Sequence, residues 1–158
     1  MALEILHNLD LSNLHIVIRI ILSIALGFII GLERELTNKW AGLRTHILVC
    51  LGSTVFTILS IYSFPIIASP DSPVRFGDPA RVAAQILTGI GFIGAGTVLR
   101  HGPSIYGLTT AATLWISASI GMAVGTGDYF LATLTTIITI LSLTLIRKLE
   151  RAILRQHK

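Results

Sequence analysis

Five long apolar runs are the feature that most limits what this chain can fold into. Four of them contain no charged residue at all, and the first contains only Arg19. A helix needs about 17–25 predominantly apolar residues to cross the hydrocarbon core of a bilayer. The sequence therefore predicts an all-α integral membrane protein with five transmembrane helices, at residues 16–32, 47–67, 82–99, 108–124 and 129–146.

The low charge content excludes the main alternative, a buried helical protein in water. Only 13% of the residues are charged, whereas a soluble domain carries about 25%. The five runs also lack the polar outer face that a water-soluble helix shows. Little chain is left between the runs, so we predict one transmembrane domain over residues 1–158 and no soluble domain.

The positions of the basic residues predict the orientation. With the amino terminus outside, the inner segments hold nine of the twelve Lys and Arg residues. Basic residues concentrate in cytoplasmic loops, so we predict the amino terminus outside and the carboxyl terminus inside. A basic tail beside a span is more typical of contact with anionic lipid than of binding to nucleic acid. The nine residues are Arg34, Lys39, Arg44, Arg100, Arg147, Lys148, Arg151, Arg155 and Lys158.

The segment GIGFIGAG, residues 89–96, contains the pattern G-x-G-x-x-G of nucleotide-binding loops. Such a loop needs a strand before it and a carboxylate about 20 residues on, but the flanks are apolar and that position is Leu114. We interpret the glycines as small residues that let helices approach closely, or alternatively as a kinked, locally unwound helix with carbonyls facing an ion. The glycines predicted to pack helices are Gly27, Gly31, Gly89, Gly91, Gly94, Gly96 and Gly121.

Ionisable residues within or beside the spans are the second informative feature. They are costly at membrane depth and mark either a site or a specific ion pair. We predict a charge network of Arg19, Arg34, Arg44 and Arg81, with snorkelling of Arg19 and Arg81 to the outer interface as the simpler alternative. Because Mg²⁺ prefers oxygen ligands, the candidate metal ligands are Glu33, Glu35, Asp78 and Gln85.

Two ungapped segments, residues 31–60 (GLERELTNKWAGLRTHILVCLGSTVFTILS) and 78–129, carry a family resemblance. They resemble the membrane domain of the MgtC/SapB family. The resemblance implies a multi-pass protein of the bacterial inner membrane with a role in magnesium homeostasis. Many members add a carboxyl-terminal cytoplasmic domain, so a chain that stops at Lys158 resembles the short, SapB-like form.

Two functions stay open under this resemblance. One is Mg²⁺ transport, with Mg²⁺ as substrate or ligand and no other cofactor; the other is regulation through binding of other membrane proteins. No nucleophile–base pair or nucleotide loop is visible, so we do not expect an enzyme. The small-residue faces predict a homo-oligomer, most simply a dimer, since closed symmetry dominates such assemblies.

Overall fold

A computed structural model describes residues 2–62 and 79–156 of the chain. Within these residues the chain forms five helices and one short β-hairpin. The hairpin pairs β1 (Leu99–His101) with β2 (Ser104–Tyr106) in antiparallel register, with Arg100 opposite Ile105. The helices are α1 (Ala2–Leu36), α2 (Leu43–Tyr62), α3 (Pro79–Gly96), α4 (Leu108–Thr126) and α5 (Tyr129–Gln156).

Each predicted span falls on one of these helices, and the prediction of an all-α bundle is confirmed. In the described residues, α1, α2, α4 and α5 are long and apolar enough to cross a membrane, whereas α3 is a shorter apolar helix. The largest differences in boundary are that α1 begins at Ala2 and that α5 continues to Gln156. Residues 63–67 of the second predicted span lie outside the described residues.

The third predicted span is wrong at its carboxyl end, because α3 stops at Gly96 and β1 begins at Leu99. The amides of Thr97 and Val98 donate to the carbonyls of Gly94 and Ala95 in a tight closing turn. Gly107 then returns the chain from the hairpin with φ +89° and lies against the carbonyl of Thr97 so closely that no Cβ would fit. The helix itself is continuous from Pro79 to Gly96, so the alternative of a locally unwound third helix is not what the structure shows.

Helix α4 lies at the centre of the bundle and contacts the other four helices. Its side chains Leu114, Ala118 and Val124 are fully buried. Helix α5 lies at the edge, with most of its apolar side chains exposed. Such exposure is compatible with a membrane, because lipid can cover apolar side chains at the edge and only the central helix needs other helices on all sides.

Three of the predicted packing glycines lie where helices cross. A Cβ on Gly27 would lie 2.9 Å from the His46 carbonyl oxygen, and one on Gly31 would lie 2.7 Å from the Leu43 Cα, both on α2. A Cβ on Gly121 would overlap the carbonyl oxygen of Cys50. These glycines set the α1–α2 and α2–α4 distances, because side chains there would push the backbones apart.

The glycines of α3 behave differently. Gly94 makes an ordinary contact with Ala111 on α4. Around Gly89, Gly91 and Gly96, no other atom of the described chain lies within 4 Å of an added Cβ. The prediction that these three pack helices together is therefore not met within one chain. Their small size leaves open space on two faces of α3.

Candidate functional site

A buried charge cluster of Glu33, Arg34 and Arg147 closes one end of the bundle. The two oxygens of the Glu33 carboxylate are shared between two cations. Oε2 accepts a hydrogen bond from Arg34 Nε at 2.5 Å, and Oε1 accepts one from Arg147 Nη2. The exposed fractions of the side chains are 10% for Glu33, 1% for Arg34 and 24% for Arg147. The cluster therefore carries one more positive than negative charge, largely out of contact with solvent.

Two distant helices build this cluster. Glu33 and Arg34 lie near the end of α1, whereas Arg147 is separated from Glu33 by 114 positions and lies on α5. Arg147 reaches Glu33 because α5 continues as a helix past the predicted end of its span, residue 146. The interpretation of Arg147 as part of an exposed basic tail is therefore wrong. Sequence spacing alone does not show that α5 returns to the end of α1.

His46 is a fully buried residue that the sequence analysis did not single out. Its Nδ1 lies 2.8 Å from the Gly42 carbonyl oxygen, and its Nε2 lies 3.2 Å from the Thr113 hydroxyl on α4. Because a carbonyl oxygen only accepts, Nδ1 carries a proton and donates it to Gly42, while Nε2 faces the oxygen of the Thr113 hydroxyl. The single proton of the Thr113 hydroxyl is donated to the Thr110 carbonyl oxygen at 2.9 Å.

One sequence signal could have found His46. Helix α2 buries His46, Cys50, Thr54 and Thr57, spaced three or four residues apart on one face. Thr54 donates both to the Cys50 carbonyl and, at 2.8 Å, to the Gly121 carbonyl on α4. A helical stripe of small and polar residues in an otherwise apolar span predicts a face that turns away from lipid.

The three predicted metal ligands that the structure describes, Glu33, Glu35 and Gln85, are not grouped at one site. Glu33 is occupied by arginines, and Glu35 Oε2 accepts from the Leu43 amide at 3.0 Å, where it caps the start of α2. Gln85 is exposed on α3, and Asp78 lies outside the described residues. Among the residues that the structure describes, no three His, Cys, Asp or Glu side chains are grouped so as to hold a metal ion.

The predicted charge network divides between the two ends of the bundle. Arg34 lies in the buried cluster, and the exposed Arg44 makes no hydrogen bond or ion pair with the described residues. At the opposite end, Arg19 Nη1 donates to the Gly125 carbonyl at 2.8 Å, and its guanidinium lies 5.6 Å from the Tyr62 ring centre. Arg19 thereby satisfies a carbonyl at the end of α4 that no helical amide reaches. Arg81 is exposed near the start of α3.

An open groove of about 620 Å³ runs between α2 and α3. Its walls are mainly aliphatic and aromatic, and it lies on the side of α2 away from the buried His46 face. Arg44 lies at the end near the charge cluster, and Gln85 lies near the other end. The groove also contains Thr45, Leu48, Val49, Gly52, Ser53, Phe56, Val82, Ile86, Gly89, Ile90 and Ile93.

Comparison with known proteins identifies close sequence relatives. The sequence profile of the MgtC family matches residues 20–152. The chain is 43% identical over 141 residues to a protein of Escherichia coli K12 described as "Putative magnesium transporter YhiD", covering 89% of this chain and 65% of that protein. It is 42% identical over 137 residues to "Protein MgtC" of Salmonella typhimurium LT2, covering 87% of this chain and 54% of that protein.

An uncharacterized protein of Haemophilus influenzae is 40% identical over 147 residues, covering 91% of this chain and 61% of its own. The chain thus spans between about half and two thirds of the length of these curated relatives. No solved structure matches the chain significantly.

Proposed function

The chain belongs to the MgtC family, and on this premise we propose that it is a bacterial inner-membrane protein of magnesium homeostasis that acts without conducting Mg²⁺. One relative is described as "Putative magnesium transporter YhiD" and another as "Protein MgtC". The first of these names supports the magnesium role. The non-conducting part of the proposal rests on the chemistry of this chain.

The state of Glu33 carries this proposal. Mg²⁺ binds carboxylates and keeps several waters, so a conducting pathway needs an acidic group that the ion can reach. Among the acidic residues whose side chains the structure describes, Glu33 is the least exposed. Both of its carboxylate oxygens already bind arginines. The cluster has a net positive charge, which repels a divalent cation. The protein would then act by binding other membrane proteins, which is the second function that the family resemblance left open.

Transport is the second candidate, and one observation favours it. Buried hydroxyl groups follow α2 and α4 through the bundle from the His46 end towards the Arg19 end. Several of them donate to carbonyls of their own helix, as Thr57 does to Ser53 and Thr113 to Thr110. Hydroxyls satisfied in this way stabilise packing and offer an ion few free ligands. We therefore rank transport below regulation.

A flux measurement separates the two functions. We expect purified protein in liposomes that contain a Mg²⁺-sensitive dye to give no Mg²⁺ entry above that of protein-free liposomes. The same protein should restore growth in low Mg²⁺ to a bacterial strain that lacks its own family member. Protein-dependent Mg²⁺ entry above that of protein-free liposomes would overturn the non-conducting proposal and favour transport.

The same proposal includes the orientation predicted from the basic residues. One end of the bundle, which we call the basic end, contains Arg34, Lys39, Arg44 and Arg147. Under the positive-inside rule we expect this end to lie in the cytoplasm. We expect a reporter fused after Lys158 to be cytoplasmic and one fused before Met1 to lie outside the membrane. Accessibility of both reporters from the same side would contradict a five-span chain.

The homo-oligomer expected from the sequence stays a prediction.

A further inference from the structure

The groove between α2 and α3 has a shape that two glycines create. Gly52 on α2 and Gly89 on α3 both line it. A Cβ at either position meets no other atom of the described chain within 4 Å. The absence of side chains at these two positions therefore does not bring α2 and α3 into closer contact. It widens the space between them instead.

The medium around the groove limits what can fill it. The flanking side chains Leu48, Phe56 and Ile93 are 65%, 58% and 47% exposed, and they belong to helices expected to lie in the hydrocarbon region. Water molecules beside these apolar side chains, within the hydrocarbon region, would lack hydrogen-bond partners. From Arg44 to Phe56 the groove follows about 18 Å of helix, which is comparable with one leaflet of hydrocarbon, about 15 Å. An extended acyl chain fits these dimensions and this lining.

The basic end of the groove adds charge complementarity. Arg44 lines the groove within the first turn of α2, is exposed, and has no hydrogen bond or ion pair with the described residues. The partial positive charge of the α2 amino terminus adds to its charge. Glu35 lies nearby, but its carboxylate is engaged with the Leu43 amide. A basic group between helices at a cytoplasmic membrane face is typical of sites for anionic lipid headgroups.

We propose that this groove binds one phospholipid with an anionic headgroup, whose phosphate contacts Arg44 and whose acyl chain lies along Gly52 and Gly89. The site is distinct from the charge cluster, since it lies on the opposite side of α2. It does not depend on whether the protein conducts Mg²⁺. A lipid held there makes the exposed faces of α2 and α3 one continuous surface.

Native mass spectrometry of the intact chain in detergent tests the site with two probes, dioleoylphosphatidylglycerol and dioleoylphosphatidylcholine. We expect the first-bound lipid to be phosphatidylglycerol in preference to phosphatidylcholine. Arg44→Gln should reduce that preference about fivefold, the factor equivalent to about 1 kcal/mol per basic residue. Gly52→Leu or Gly89→Leu should fill the groove and weaken binding of the first phosphatidylglycerol at least tenfold.

The glycine variants are informative because the structure has room for them. Their thermal midpoints in detergent should be no lower than that of the wild type, since an added Cβ meets no described neighbour and leucine favours a helix interior over glycine. Ala25→Leu, at an exposed position on α1 away from the groove, is the matched control and should bind lipid as the wild type does. Unchanged phosphatidylglycerol binding in Arg44→Gln and Gly52→Leu would overturn the proposal. A change of oligomeric mass in Gly52→Leu with no change in lipid binding would also overturn it, because a second copy would then fill the groove.

Discussion

Replacing Glu33 by Gln is expected to remove most of the folded protein from the membrane. The change leaves Arg34, whose side chain is 1% exposed, without an anionic partner, and places Arg147 beside it with no carboxylate between them. Removing one partner of a buried ion pair costs about 3–5 kcal/mol. We expect a loss of that size in the free energy of unfolding, measured by denaturant titration in detergent, and loss of growth in low Mg²⁺.

Two further variants distinguish a broken ion pair from a general effect of substitution. Glu33→Gln combined with Arg34→Met removes the unpaired cation and should recover much of the stability, since apolar replacement of a buried pair is often tolerated. Arg151→Gln with Arg155→Gln removes two charges beyond Arg147 and should leave both stability and growth unchanged. A stable, fully active Glu33→Gln variant would show that the carboxylate is not needed. Loss of growth in the Arg151, Arg155 variant alone would move the important charges to the end of α5.

Gly121→Ala is expected to lower stability, whereas Gly91→Ala is expected to leave it unchanged or raise it. Alanine at Gly121 places a methyl group against the Cys50 carbonyl oxygen and 2.9 Å from the Ser53 Cβ. The backbones of α2 and α4 must then separate, which typically costs about 1–3 kcal/mol. A Cβ on Gly91 meets no described atom within 4 Å, and alanine favours a helix interior by about 1 kcal/mol over glycine.

Thermal unfolding in detergent measures this pair of variants under one set of conditions. We expect Gly121→Ala to lower the midpoint and Gly91→Ala to leave it unchanged or raise it. If Gly91→Ala instead lowers the midpoint or changes the oligomeric mass, another helix packs on that face of α3 in the assembled protein. Equal midpoints for both variants would show that the α2–α4 crossing is not as close as the structure has it.

The sequence was sufficient to predict the helices and to recognise two of the three residues of the charge cluster. Apolar runs locate membrane helices because bilayer thickness fixes their length, and Glu33 and Arg34 were recognisable because ions at membrane depth need partners. Arg147 was missed because its partner is 114 positions away. The span end at residue 146 also made it look like part of a solvated tail.

The helix faces were harder to predict than the helices. Small residues indicate that something packs closely, but lipid and a neighbouring helix are both apolar, so composition does not say which of them covers a given face. A Cβ on Gly121 would overlap α2 and one on Gly91 would meet no described atom within 4 Å, although both glycines were predicted to pack helices. The β-hairpin was missed since Leu99 continues the apolar run of α3, while the fold ends the helix at Gly96. The metal-ligand set stays a prediction, and the sequence did not show that Arg34 and Arg147 both bind Glu33.

The ion pair between Glu33 and Arg147 also sets an order for biogenesis. The two residues are 114 positions apart, and at about 5–20 residues per second a ribosome needs roughly 6–23 s to add the second after the first. During that interval α1, α2 and α4 can already associate, with one oxygen of the Glu33 carboxylate still without its cation. A nascent chain released before Arg147 would keep this defect permanently. The last helix made thus supplies the second cation that binds a carboxylate on the first, so a full-length chain differs from a truncated one at the far end of its sequence and at its first helix together.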